Sequence, residues 1–295
     1  MHQTLTDEEK MSLLEFKSSY KDCTTDNGAT ITEMTFLSRI YGQIPDEKYK
    51  KAFLLGLDYL LQAQYDNGGW PQFYPLKKGY SRHITFNDNS MANIMTLLYE
   101  IISNSGYFSI KPDSATIIHA QTAFDKGIVC ILNTQYIQNG VPTGWCAQHD
   151  ETTLLPARAR SYELPSLSGK ESAGLVLLLM KIEDPSDQIR AAVEYAVNWF
   201  ENTKISGLKI ERYKTENGLR EKRIVPDTTA PAIWPRFMEL EDNTPFFCDR
   251  DGIKRSSLDQ ISQERRNGYN WYTTDPQKVL DDYPAWKDKW MCSKN

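Results

Sequence analysis

An all-α fold, an (α/α) toroid or barrel of helical hairpins with irregular loops and short strands on one rim, follows from three observations. Apolar residues recur at helical spacing through the first two thirds of the 295-residue chain. A helix-stopping signature also recurs. Gln64-Tyr65-Asp66-Asn67-Gly68-Gly69-Trp70-Pro71-Gln72 is answered by Gln135-Tyr136-Ile137-Gln138-Asn139-Gly140 and Gly144-Trp145-Cys146-Ala147-Gln148, with the tryptophans 75 positions apart. Finally, no low-complexity linker divides the sequence, so residues 1–295 read as one domain. In each copy of the signature, glycine supplies the backbone freedom that ends a helix. Tryptophan then offers a flat apolar face beside a polar loop. Repeated helix–turn units stack on their neighbours and put their loops on a shared rim, which is where a site is expected.

The elements follow in order. Met34, Leu37, Ile40 and Tyr41 share one helical face, and about Asp46–Gln64 forms the next helix through Tyr49, Phe53, Leu57, Leu60 and Leu61. Met91, Ile94, Met95, Leu98, Ile101 and Ile102 predict a third, and Ile117, Ala120, Phe124, Ile128, Ile131 and Leu132 a fourth. Ser168 with Glu171 reads as a capping box before the apolar run Ala173–Ile182. Beyond Pro185, Ile189, Val193, Ala196, Val197 and Phe200 complete the series. Ile205–Tyr213 alternates apolar and polar residues like a strand. From Pro226 to Tyr283 prolines, aromatics and charges mix without period, which predicts irregular chain wrapped over the helical body.

At 40% hydrophobic residues the chain can build a large core. Its mean hydropathy is −0.55, and no apolar run approaches the ~20 residues of a membrane span. The start is polar and shows no signal peptide, which says little about origin. A net charge of −5 argues against nucleic acid. The charge is uneven, however. Lys204, Lys209, Arg212, Lys214, Arg220, Lys222 and Arg223 outnumber Glu211, Glu216 and Glu221, which fits either an anionic ligand or a solvated loop. Five cysteines (Cys23, Cys130, Cys146, Cys248, Cys292) without a CxxC pair argue against structural zinc and thioredoxin-like chemistry. The 16 tyrosines, 7 tryptophans and 11 phenylalanines suit carbohydrate stacking, although most aromatics in any protein are core.

GxSxG, Walker A and HExxH motifs are absent, and the histidines are His2, His83, His119 and His149. Base chemistry therefore falls largely to carboxylates, lysine or arginine. Thr85-Phe86-Asn87-Asp88-Asn89-Ser90 opens a helix; one of these residues caps it, and the rest exceed what a cap needs. Gln148-His149-Asp150-Glu151 follows the second Gly-Trp, so Asp150 could meet Asp88 in space. Hard oxygen ligands on two loops suit calcium rather than zinc, while a surface acidic turn is the plainer reading of the second segment. Lys222-Arg223, Trp234-Pro235-Arg236-Phe237 and Glu264-Arg265-Arg266-Asn267-Gly268-Tyr269-Asn270-Trp271-Tyr272 set arginine beside aromatics. That pairing suits a sugar acid, the guanidinium forking onto carboxylate and the ring stacking on the pyranose; packing of a long irregular tail competes with it. Trp70 and Trp145 either stack on sugar or buttress the rim, and packing is favoured for both.

Together these segments resemble the family 10 polysaccharide lyases, pectate lyases with an (α/α) toroid fold. The resemblance runs in order from about residue 24 to 274. It is carried by Thr25-Asp26-Asn27-Gly28-Ala29-Thr30, Asn67–Leu76, His83–Asn89, Gly144–Asp150, Ala159-Arg160-Ser161-Tyr162-Glu163-Leu164-Pro165-Ser166 and Glu264–Tyr269. It implies calcium-dependent anti β-elimination of polygalacturonate, giving unsaturated oligogalacturonides. It puts Asp88, Asn89 and Asp150 in the calcium and substrate centre. It implies an arginine base, Arg223 by its spacing from the two aspartates or else Arg236. Trp70, His149, Arg160, Tyr162, Arg265 and Arg266 become substrate-binding residues. A secreted or periplasmic monomer acting on pectin oligosaccharides, with no nucleic-acid or membrane partner, completes the picture. The chain departs from the resemblance over Met1–Lys21, where a further helical segment with its own Gly-Gly-Trp-Pro is expected and not found. Two other functions fit the same residues: a toroidal glycoside hydrolase using Asp88 and Asp150 as its carboxylate pair, and a non-catalytic pectin-binding protein.

Overall fold

The amphipathic spacings become helices in the computed structural model, which describes residues 6–16, 23–103 and 109–291. Cys292 lies outside the described residues. The helices are α1 (Asp7–Phe16), α2 (Ile31–Gln43), α3 (Glu47–Ala63), α4 (Ser90–Ile102), α5 (Ser114–Thr134), α6 (Gly169–Lys181), α7 (Asp187–Thr203), α8 (Gln263–Gly268) and α9 (Asp275–Trp290). Successive long helices pack as hairpins: α2 on α3, α4 on α5, α6 on α7. Helices α3, α5 and α7 also touch in turn, as do α4, α6 and α9. Helices α4 and α6 are inner, buried around most of their circumference, while α9 packs on α6 with one face. The architecture is the (α/α) toroid that the sequence predicts.

The repeated signature is a fastening device. The Trp70 indole N–H donates to the Leu60 carbonyl (2.8 Å) and that of Trp145 to Ile131 (2.8 Å). Trp234 makes the same bond to Phe200 (2.9 Å), a third copy that the irregular-looking tail concealed. Each tryptophan thus folds back onto the outer helix that precedes it. The glutamine that ends α3, and likewise the one that ends α5, reaches forward. Gln64 Nε2 donates to Ala123 O on α5 (2.8 Å), and Gln135 Nε2 to Ala192 O on α7 (3.0 Å). Gln135→Ala deletes that hook and its bond to Thr143 O. It is expected to cost about 1–3 kcal/mol, read as a lower denaturant midpoint with an unchanged specific activity of the folded protein.

Short antiparallel strand pairs lie between the helices. They are β1 (Ile84–Thr85) with β4 (Gln148–His149), β2 (Ile137–Gln138) with β3 (Val141–Pro142), and β5 (Leu208–Lys214) with β6 (Arg220–Pro226). The remaining pairs are β7 (Trp234–Pro235) with β10 (Tyr272–Thr273) and β8 (Phe247–Cys248) with β9 (Lys254–Arg255). The strand expected near Ile205–Tyr213 is one arm of the β5–β6 hairpin, whose turn contains Asn217-Gly218 with Gly218 at φ 75°.

Two expectations are corrected. The tail is less irregular than expected: it holds the short strands β7 to β10 and α8, and after Thr274 α9 packs against α6 and α7. Its spacing of Val279, Tyr283, Trp286 and Trp290 is helical, but Asp281-Asp282 and Pro284 mask it in sequence. At α6, Ser168 stands at the N-cap without making a capping bond. Its backbone N–H donates to Trp145 O (3.0 Å) and its hydroxyl to the Glu171 carboxylate. Glu171 is therefore not spent on the helix end, and it turns toward the rim.

Candidate active site

Ladder pairing of Ile84 with His149 and Thr85 with Gln148 holds the Asp88 turn and the Asp150 loop on one rim. The backbone N–H groups of Phe86 and Asn87 both donate to Ala147 O (2.9 Å each). Within the turn, Asp88 and Asn89 have φ values of 51° and 60°. Two successive left-handed residues that are not glycine cost on the order of 1–3 kcal/mol each. Such strain persists only where surrounding structure enforces it. Here α6 makes room: a Cβ at Gly174 would lie 2.1 Å from Asn89 Oδ1. That oxygen is buried and has no hydrogen-bond partner.

Asp88 is the hub of a charged cluster. Lys170 Nζ donates to its Oδ1, Asn87 Nδ2 to its Oδ2 (2.6 Å), and Arg236 Nη2 stands 3.5 Å from Oδ1. Arg236 also donates to Asn87 Oδ1 (2.7 Å), lies 3.5 Å from Glu171 Oε1, and stacks over the Tyr269 ring at 4.4 Å. Glu171, 1% exposed, accepts from the Asp88 N–H (3.3 Å). Burial alone would raise the Asp88 pKa, but Lys170 and Arg236 hold it below the ordinary aspartate value. Burial likewise works against the Arg236 charge, and Glu171 foremost keeps its pKa above that of a free arginine.

On the neighbouring loop, Asp150 Oδ1 accepts from Thr152 N (3.0 Å), Thr153 N (2.8 Å) and Thr153 Oγ1 (3.0 Å). Those backbone donors depress its pKa and leave Oδ2 unengaged by any of them. Asp150, Glu151 and His83 offer ligand atoms within 4.8 Å of one another. Glu151 is already paired with Arg82 (2.5 Å) and His83 Nδ1 (2.9 Å). His149 is buried beneath this loop, edge-on to Phe86. Burial lowers its pKa to about 4, so the ring is neutral, with Nδ1 donating to Leu154 O (2.9 Å).

The family model described as Pec_lyase, pectic acid lyase, matches residues 1–280. The chain belongs to the pectic acid lyase family. Two solved structures are similar to it. One is a mutant of the family 10 polysaccharide lyase from Cellvibrio cellulosa in complex with trigalacturonic acid. It has 38% identity and a TM-score of 0.80, with 89% of this chain and 81% of that one covered. The other is the family 10 polysaccharide lyase from the same organism, at 39% identity and TM-score 0.80, covering 89% and 80%. No curated protein matches.

As a polysaccharide lyase the protein does not need a protonated carboxylic acid, and the hydrolase reading falls on the same ground. Asp88, held ionised by Lys170 and Arg236, is unsuited to donate the proton that glycoside hydrolysis demands.

The other predicted residues divide. Arg236 joins the Asp88 cluster. Arg223, the first choice by spacing, lies on β6, paired with Glu211 of β5 (2.5 Å) and stacked on Tyr213 (5.0 Å). Residue spacing is blind to the hairpin, which pairs Arg223 with Glu211, and the arginine that meets Asp88 is Arg236, directly after β7. Trp70 is 0% exposed and tied to Leu60, so the sugar-stacking role is corrected to a packing one. Arg266 is likewise spent, forking onto Glu221 (2.9 and 2.6 Å) to fasten α8 to β6. Arg160 is engaged by Glu163.

Tyr162 is buried against three guanidinium groups, those of Arg265 (3.8 Å), Arg160 (5.0 Å) and Arg250 (5.6 Å). Arg265, 3% exposed, leaves Nε and Nη2 without a partner. Sequence reasoning missed Lys170 and Glu171 as site residues and carried Asn87 only as part of the Thr85–Ser90 segment. The signal for Glu171 was present but explained away as a helix cap.

Proposed function

We propose that this protein is a calcium-dependent pectate lyase that cleaves polygalacturonate by anti β-elimination, with Arg236 as the arginine that takes the C5 proton. The observation that carries the choice is the burial of Arg236 against Asp88 and Glu171. In the reaction the C5 proton, acidified by the adjacent uronate carboxylate, passes to the base. The C–H electron pair becomes the C4–C5 double bond. The C4–O bond breaks, and the departing sugar oxygen gains a proton. Products are an unsaturated uronide and a shortened chain.

Asp88, Asn89 and Asp150 would hold the calcium ion. The donor set fits a hard cation: two ionised carboxylates and the orphaned, buried Asn89 Oδ1, with no thiolate among them. Bound there, the ion supplies fixed positive charge beside the uronate carboxylate. With Asp88 so engaged, the Arg236 proton loses one of the carboxylates that retain it. Arg265, stacked on Tyr162 with two unpaired N–H-bearing nitrogens, is assigned to a substrate carboxylate. Arg160 and Tyr162 frame that position, and the neutral His149 supports the Asp150 loop from below. The polymeric substrate places the enzyme outside the cytoplasm, secreted or periplasmic, where it acts as a monomer.

An arginine must be neutral to act as base, and below its pKa the neutral fraction grows about tenfold per pH unit. The expected kcat/KM profile on polygalacturonate therefore climbs steadily from pH 7 to at least about 10. A profile flat across that range would reject Arg236 as the base.

A further inference from the structure

We propose that one face of the β5–β6 hairpin is a second binding surface, taking the acidic polysaccharide chain beyond the bond being cleaved. Residues paired across an antiparallel ladder point to the same face. The register pairs Arg212 with Lys222 and Lys214 with Arg220, so four cations share that face. All four line one concavity of about 580 Å³, with Asn267 and Asn270 at its edge.

The face has no internal counter-charge. Glu221, the carboxylate in its lining, is consumed by Arg266 and Asn267, which with the Lys222 N–H hold its pKa down to about 2. Glu211 and Asp227 are taken by Arg223 and Lys209. Glu216 sits exposed in the turn. Among the described residues no ion pair joins Arg212, Lys214 or Arg220 to a carboxylate. A chain of net charge −5 thus presents four clustered cations around a groove.

Geometry selects the occupant. Same-face residues along a strand recur every ~6.6–6.8 Å, and the facing row stands roughly 5 Å away. Such a double row suits a polymer bearing one carboxylate per sugar. The asparagine amides suit its hydroxyls. The groove also adjoins the reacting centre. Lys222 Nζ donates to Tyr269 O (3.1 Å), and the Tyr269 ring carries Arg236. The assignment to polygalacturonate rests on the lyase reading above.

The test uses the full chain and an Arg212→Ala/Arg220→Ala double variant, neither residue belonging to the Asp88 centre. Electrophoresis through gels containing polygalacturonate and a chelator reports binding without turnover. The wild type should be retarded, and the variant's apparent affinity should fall about tenfold, the loss of roughly one good charge-assisted contact. KM for polygalacturonate should rise by a similar factor while kcat/KM on trigalacturonate stays within about twofold. Equal retardation of the two proteins, or equal retention of the wild type by dextran sulfate, would overturn the proposal. If the wild type forms no unsaturated product, the lyase reading fails on that result alone, and the retardation comparison still decides whether the groove holds the chain.

Discussion

Arg236→Ala is expected to lower kcat on polygalacturonate by about 10³-fold, the scale on which loss of one preorganised group at the reacting atoms is felt. The substitution removes the arginine that touches Asn87, Asp88 and Glu171 together. It also strips Glu171, itself 1% exposed, of its cation. Breaking a buried pair in this way costs about 3–5 kcal/mol, so the denaturant midpoint should drop as well. Arg236→Lys separates the two effects. It restores a charge beside Glu171 and with it much of the stability, but an ammonium lacks the planar guanidinium that stacks on Tyr269 while its Nη2 meets Asn87 and Asp88, and activity should stay depressed by at least about 10²-fold. The rate is followed as ultraviolet absorbance of the unsaturated uronide, with circular dichroism confirming the fold. Arg223→Ala, on the hairpin, should retain full kcat on trigalacturonate. The opposite pattern, Arg223→Ala inactive and Arg236→Ala within tenfold of wild type, would return the base to Arg223.

Asp88→Asn, which keeps shape and removes charge, is expected to cost about 10²–10³-fold in kcat. In the wild type Lys170 and Arg236 both stand against this carboxylate. Neutralising it sets two cations side by side and weakens the proposed calcium site. Calorimetric titration should show weaker calcium binding in the variant, and added calcium should recover only part of the rate. A variant that binds calcium as the wild type does would remove Asp88 from the ligand set.

The toroid was legible because its instructions are local and repeated. Helical periodicity marks the faces of α2 to α7, and Asn-Gly followed by Gly-Trp marks two of the turns between them. The third tryptophan, Trp234, escaped because a hairpin of two seven-residue strands stands between it and α7, diluting the pattern. Helix α9 escaped because its apolar face is interrupted in sequence by acid and proline. Asp88 and Asp150 were legible as residues of one rim because the segment carrying each follows a copy of the same signature.

Glu171 and Lys170 were not, since their role arises from a long-range contact. The backbone N–H of Ser168 is taken by Trp145, and that frees the Glu171 side chain for Asp88 and Arg236. Which arginine reaches Asp88 is the same kind of question. It depends on where the chain re-enters the rim, and residue counting carries no information on that.

The most direct measurement is the absorbance of unsaturated product when this protein is incubated with polygalacturonate at alkaline pH, once with calcium and once with a chelator. Signal that grows with calcium and stops on chelation is the predicted result. Saturated sugars released in the presence of the chelator would contradict calcium-dependent β-elimination.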